Sequence, residues 1–197
     1  AINMHKEVQK YNVHREKNGY TPISIGVGLH TGRLMLGTVG EKQRMEGTVI
    51  SDAVNLASRI EGLTKRYGAG IVISEDTLNH LSDQSKYNYR FLDKVKVKGK
   101  RQAISVFELF DGDQEKVVEV KRKTKSDFED GLRLYHERKF EEASIHFENV
   151  MKNLVKNCGG TPFRMVRSIH RRHLHLQELL GLQLQERDTD EIKGFNP

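Results

Sequence analysis

The segment from Ser51 to Gly68 constrains this chain more than any other. Ser51 is a strong helix N-cap, Asp52 puts an anion in the first turn, and Gly68 is placed to end the helix. Between them Leu56, Ile60, Leu63 and Tyr67 recur at helical spacing, an apolar stripe that demands a core. The opposite side carries Asn55, Arg59, Gly62 and Arg66 at steps of three and four. Asn55 and Arg59, one turn apart, therefore point the same way. An amide and a guanidinium projected together from a rigid helix suit an anionic ligand that must also be oriented. An ordinary amphipathic helix with a solvated polar face gives the same pattern, so further residues have to decide.

The 197 residues suffice for one domain with a real core and an appendage. No apolar run is long enough to span a membrane, so no membrane segment is expected in this chain. The single Cys158 excludes an internal disulfide framework and fits a reducing compartment, hence a cytoplasmic location for this part of what could be a membrane-attached protein. The net charge of +6 allows polyanionic ligands, nucleotide phosphates included, without selecting one. No signal peptide is visible, and the first residues already read as mid-helix, so the chain is expected to begin inside a larger protein.

Residues 1 to 17 read as an amphipathic helix ending near Asn18-Gly19. Ile23 to His30 alternates apolar residues with Ser24, Gly26 and Gly28, a strand whose glycines let another backbone or a ligand come close. After a turn at Thr31-Gly32-Arg33, Leu34 to Val39 reads as the second arm of a hairpin, and Glu41 to Met45 as a charged loop. Further strands are expected over Thr48–Ile50, Ile71–Ser74, Tyr87–Val97 and Ile104–Phe110, with a short helix from Ser74 or Glu75 to Leu81 and a tight turn at Lys98-Gly99-Lys100. This order implies an α+β layer with helices on one face of a mainly antiparallel sheet. With no strand before its first helix, it looks like the second half of such a domain, whose open edge and uncovered face argue for a missing partner.

Residues 112 to 125, with the basic run Lys121-Arg122-Lys123-Thr124-Lys125, read as a charged, solvated linker. Residues 126 to 190 read as a helical extension. Phe128, Leu132, Leu134 and Tyr135 form one face, and Phe140, Ala143, Phe147, Val150 and Met151 another, across a turn at Arg138-Lys139. The G-L-x-x-Y…F-x-x-A-x-x-x-F spacing resembles one tetratricopeptide unit with one residue fewer than usual between Tyr135 and Phe147. Such a hairpin cannot bury its own face, so it should pack on a neighbour or dimerise. Val166, Ile169, Leu176, Leu180 and Leu184 suggest another helix on the hairpin, and residues 191 to 197 a disordered tail.

Three features converge on phosphate chemistry. Arg59 offers a planar fork, Lys98 a point charge beside a flexible glycine, and Thr48 a hydroxyl able to read the edge of a base. Other chemistries lack their residues. Gly26-Val27-Gly28 has no third glycine and no following helix for a dinucleotide fingerprint, and Gly37 to Lys42 is not a phosphate-binding Walker loop. There is no Cys/His metal pattern, no nucleophile elbow and no aspartate pair spaced for two metals. His30, at a strand end, reads as a structural hydrogen-bonder.

The ordered set Ile25-Gly26-Val27-Gly28-Leu29-His30-Thr31-Gly32, Gly37-Thr38-Val39-Gly40, Thr48 through Arg59, and Val97-Lys98-Gly99-Lys100 with Val106-Phe107-Glu108-Leu109 resembles the second half of class III adenylate/guanylate cyclase catalytic domains, over roughly residues 1 to 111. The resemblance implies a ferredoxin-like nucleotide cyclase fold, present as its second half and followed by a C-terminal α-helical extension. It implies a head-to-tail homodimer with sites at the interface, cyclising ATP to 3′,5′-cyclic AMP and pyrophosphate for intracellular signalling, under an upstream sensor or regulatory domain. By position Thr48 matches the residue that recognises adenine, Asn55 the one that orients the ribose, Arg59 the one that stabilises the transition state at the α-phosphate, and Lys98 the one that grips the terminal phosphates. Two Mg²⁺ or Mn²⁺ ions would be held by aspartates of the first half, so this fragment alone is expected to be inactive. Two other readings stay open: a degenerate, non-catalytic module that binds nucleotide or dimerises, and a helical interaction protein resting on residues 126 to 190. Nucleic acid is not an expected partner.

Overall fold

The computed structural model describes residues 1–39, 46–96 and 103–158, and for residues 36–39, 46–50, 157 and 158 the backbone alone. Its sheet begins from two glycines. Strand β1 (Val27–Leu29) lies under helix α2 (Asp52–Tyr67) so closely that a Cβ on Gly28 would stand 2.5 Å from the carbonyl oxygen of Ala57 and closer still to the Glu61 nitrogen. The side-chain hydroxyl of Thr64 fills the space a Cβ on Gly26 would need. The close approach foreseen for these glycines is thus made by a helix backbone. Because backbone cannot step aside, Gly28→Ala should lower stability by about 2–3 kcal/mol through overpacking. Urea unfolding measures this, and an unchanged midpoint would refute the tight seat.

The main sheet has the order β1-β4-β6-β5, with β4 (Ile71–Ser74) parallel to β1 and antiparallel to β6 (Ala103–Leu109), which pairs antiparallel with β5 (Tyr89–Lys96). A hairpin between β1 and the next strand does not form. Instead β2 (Met35–Val39) pairs with β3 (Glu46–Ile50), Gly37 opposite Thr48, as a separate two-stranded ribbon. The reason lies in α2: strands β1 and β4 are parallel neighbours, which requires a crossover, and α2 provides it. The loop read over Glu41–Met45, the Lys98-Gly99-Lys100 turn, the helix sought around 166–184 and the 191–197 tail lie outside the described residues.

Both faces of the sheet are covered, not one. Val72, Leu92 and Val106 share a buried cluster with Leu56, Ile60 and Tyr67 of α2, while Ile71, Ile73 and Leu109 face the other way with Leu78 of α3 (Glu75–Asn79). Helix α1 (Ile2–Lys17) has no fully buried residue and touches this second face through Ile2, with His5 lying against Gly70 and Gly112. It is held by Asn12, which exchanges two hydrogen bonds with the backbone of Ile23 (2.7 and 2.8 Å).

Residues 112–125 are not a solvated linker. They contain helix α4 (Glu115–Lys123), with Val118, Val120 and Lys121 buried. The hairpin expected beyond it is present as α5 (Lys125–His136) and α6 (Phe140–Cys158), turning at Arg138, whose φ is +63°. Its apolar face does not wait for a second copy. Phe128, Leu132, Ala143, Phe147 and Val150 join the same buried cluster as Val72, Leu92 and Val106 of the sheet. Sheet and extension therefore share one core.

Candidate active-site helix

Helix α2 starts and stops as its ends dictate. Ser51, in extended conformation, accepts the Ala53 N–H at 3.0 Å and donates its hydroxyl to the Arg33 carbonyl at 2.6 Å, pinning the helix start to the preceding loop. Gly68 closes it in the left-handed region at φ +63°, its N–H bonded to the Thr64 carbonyl. Leu56, Ile60 and Tyr67 are buried and Leu63 half-buried, so the rotation of the helix about its axis is fixed. Asn55, Arg59, Gly62 and Arg66 all emerge on the exposed side. Asn55 and Arg59 are neither buried in a closed core nor aimed apart. A ligand larger than either side chain can reach both from solvent.

Strand β3 runs directly into Ser51, so Thr48 sits in an element joined to the start of α2 without an intervening loop. Lys98 lies outside the described residues. His30 bonds through Nδ1 to the Ser74 hydroxyl at 2.8 Å and lies 3.8 Å from Asp76, the structural role expected for it. Among the described residues no group of three His, Cys, Asp or Glu side chains is placed to hold a metal ion.

Residues 1–110 match the family model of the adenylate and guanylate cyclase catalytic domain. The chain belongs to this family. An adenylate cyclase of Anabaena cylindrica is 48% identical over 114 residues, covering 55% of this chain and 23% of its own length. The terminal-differentiation specific adenylate cyclase of Dictyostelium discoideum is 34% identical over 167 residues, 84% of this chain and 8% of its own. That alignment is too long to stop at residue 110, so the likeness runs into the helical extension. The chain spans about a quarter or less of the length of these relatives. Among solved structures, the adenylyl cyclase CyaB from P. aeruginosa superimposes with a TM-score of 0.49 at 28% identity, over 58% of this chain and 56% of that one. The family match itself ends before α5 and α6, so the tetratricopeptide spacing of that hairpin stands apart from it. Cyclase domains of this family generally use divalent metal ions and work as dimers. Among the described residues no helix is long and apolar enough to cross a membrane.

Two features of this cyclase domain escaped the sequence reading. The first is a buried ionic cluster. Arg90 donates from Nε to Glu108 Oε2 at 2.7 Å, and Lys121 donates to Glu108 Oε1 at 2.6 Å and to Asp113 at 2.5 Å. Arg90 and Glu108 stand opposite each other in the β5–β6 register. Their signal was available: charges of opposite sign at positions sharing strand parity with Leu92 and Val106. The second is the bond from the Tyr67 hydroxyl to Asp93 at 2.7 Å, for which the sequence offers no local signal.

Proposed function

We infer that this chain carries one side of an adenylate cyclase site that closes across a head-to-tail homodimer, in a cytoplasmic part of a larger signalling protein under an upstream sensor or regulatory domain. The reaction converts ATP to 3′,5′-cyclic AMP: the ribose 3′-oxygen bonds to the α-phosphorus, and the bond from that phosphorus to the pyrophosphate oxygen breaks. Thr48 reads the adenine edge, Asn55 orients the ribose, Arg59 meets the charge that grows on the α-phosphoryl oxygens, and Lys98 holds the terminal phosphates. One observation carries this reading: Asn55 and Arg59 emerge side by side on the exposed face of a helix whose axis, start and rotation are all fixed. Preorganised donors of this kind stabilise developing charge without reorganising during the reaction. The names of the Anabaena and Dictyostelium relatives support ATP as the nucleotide. The described residues do not fit a metal centre. In this reading the two Mg²⁺ or Mn²⁺ ions are held by aspartates of the first half of the catalytic domain, and the isolated 197-residue chain is inactive on this account.

The test is cyclic nucleotide formation by the full-length protein, with ATP and GTP offered separately. Turnover of ATP is expected, and Lys98→Ala should raise the KM for ATP about tenfold, the value of one charge-assisted contact. Nucleotide binding without turnover by the wild type would overturn the catalytic reading in favour of a degenerate binding module.

A further inference from the structure

Helix α5 of the extension lies along β5, the edge strand of the cyclase sheet. Lys125 stands over the Tyr89 ring at 4.5 Å, Glu129 accepts the backbone N–H of Phe91 at 2.9 Å, and His136 reaches Asp93 at 3.5 Å. One helical turn rises about 5.4 Å, close to the advance of two strand residues, so Lys125 and Glu129, one turn apart, meet Tyr89 and Phe91, and His136, two turns further on, meets Asp93. Phe128, fully buried between them, lies under the Arg90 guanidinium at 4.4 Å and edge-on to Phe147.

The strand is irregular where this matters. Phe91 pairs with Phe107, but the next pairing is Asp93 with Val106, so Leu92 is an extra residue. Cross-strand partners share a face. Without the extra residue Asp93 would follow Phe91 onto the face of Phe107. The bulge moves it to the face of Val106, which α2 covers, and re-aiming a side chain is a recognised use of bulges. There one carboxylate oxygen of Asp93 accepts the hydroxyl of Tyr67, the last residue of α2, while the other faces His136 on α5.

We propose that the helical extension is a brace that sets the position of α2, with Glu129, Asp93 and Tyr67 as positioning residues for Asn55 and Arg59. The proposal rests on the cyclase reading of α2. The start of α2 is pinned by Ser51 and its far end by Tyr67. Arg59 lies near the middle, so a swing of roughly 1 Å at Tyr67 carries Arg59 through about half of that. Displacements of about 1 Å at reacting groups cost on the order of 10² in rate, so a tenfold loss is expected from half as much. The bulge at Leu92 holds the carboxylate where both helices can use it, and Glu129 fixes the strand just before that point.

The experiment uses the full-length protein and reads two quantities: the kinetic constants for ATP, and hydrogen exchange of the α2 backbone by mass spectrometry. Tyr67→Phe removes one hydroxyl, and Glu129→Ala removes the acceptor for Phe91. Each should lower kcat about tenfold with KM for ATP within twofold, because the nucleotide is still bound but Arg59 is misplaced. Each should also raise exchange over residues 60–67. Glu129→Gln keeps an oxygen acceptor for the Phe91 N–H and should restore both readouts. Wild-type kcat and wild-type α2 exchange in Tyr67→Phe and Glu129→Ala would overturn the brace. So would a loss in Glu129→Ala that Glu129→Gln fails to restore. Should the wild type itself make no cyclic nucleotide, the cyclase reading fails, and the exchange measurement alone decides whether the extension holds α2.

Discussion

Arg59→Ala in the full-length protein is expected to lower the kcat for cyclic AMP formation by 10²–10³-fold. The figure follows from what the side chain would do. Negative charge accumulates on the α-phosphoryl oxygens only as the new bond forms, so a guanidinium aimed there is worth more in the transition state than in the bound substrate. Losing one such electrostatic donor typically costs about 3–4 kcal/mol of activation free energy. KM should change much less than kcat, since the terminal phosphates and the base supply ground-state binding. Arg59→Lys should recover part of the loss, because the charge returns while the planar fork does not. Folding should hardly register either change: Arg59 is exposed, and surface substitutions usually move stability by less than about 0.5 kcal/mol. Wild-type turnover in Arg59→Ala would remove the catalytic role, whatever became of the fold.

What could be read from sequence, and what could not, divides by the range of the interactions. The helix carrying Asn55 and Arg59 is specified by neighbours: Ser51 and Gly68 act on groups within a few residues, and the Leu56–Ile60–Tyr67 stripe states its own rotation. Residues 34–39 were recognisable as a strand for the same reason, but their partner was not. Pairing β1 with β4 rather than β2 depends on α2 lying flat on Gly26 and Gly28, a fact about three segments at once. Helix α4 carries a charge density that, in sequence alone, has the signature of a solvated linker. Lys121 is buried by a carboxylate thirteen residues away, and such a pair is invisible to any local window. The Asp93 bulge is of the same kind: its purpose exists only once α2 and α5 stand on either side of it. Thr48 was placed by its motif, and the backbone carries it into the start of α2, while Lys98 lies outside the described residues.

The largest expected effect on stability belongs to Glu108. Its side chain is 1% exposed and bridges Arg90 and Lys121, themselves 2% and 6% exposed, so it ties the sheet to the first helix of the extension. Burial by itself pushes this carboxyl up, but the Arg90 and Lys121 charges on either side reverse the sign and hold it below its ordinary value. Glu108→Ala takes the shared carboxylate away from two buried cations, and breaking a buried pair from one side costs about 3–5 kcal/mol. Against a total of about 5–15 kcal/mol for a domain, that is enough to unfold a substantial fraction of the molecules near body temperature. Lys121→Met should cost less, since Glu108 keeps Arg90. The pH dependence has a definite sign. A carboxyl whose folded pKa is depressed contributes stability above its unfolded pKa, near 4.3, and loses it as pH falls through the lower folded value. Wild-type stability should therefore decline on acidification below about pH 4.3, and Glu108→Gln, already destabilised at neutral pH, should lose that part of the slope. Urea unfolding of both proteins between neutral and acid pH measures it. Parallel curves for wild type and Glu108→Gln would mean that Glu108 is not ionised in the folded chain, and that the bridge between sheet and extension is not ionic.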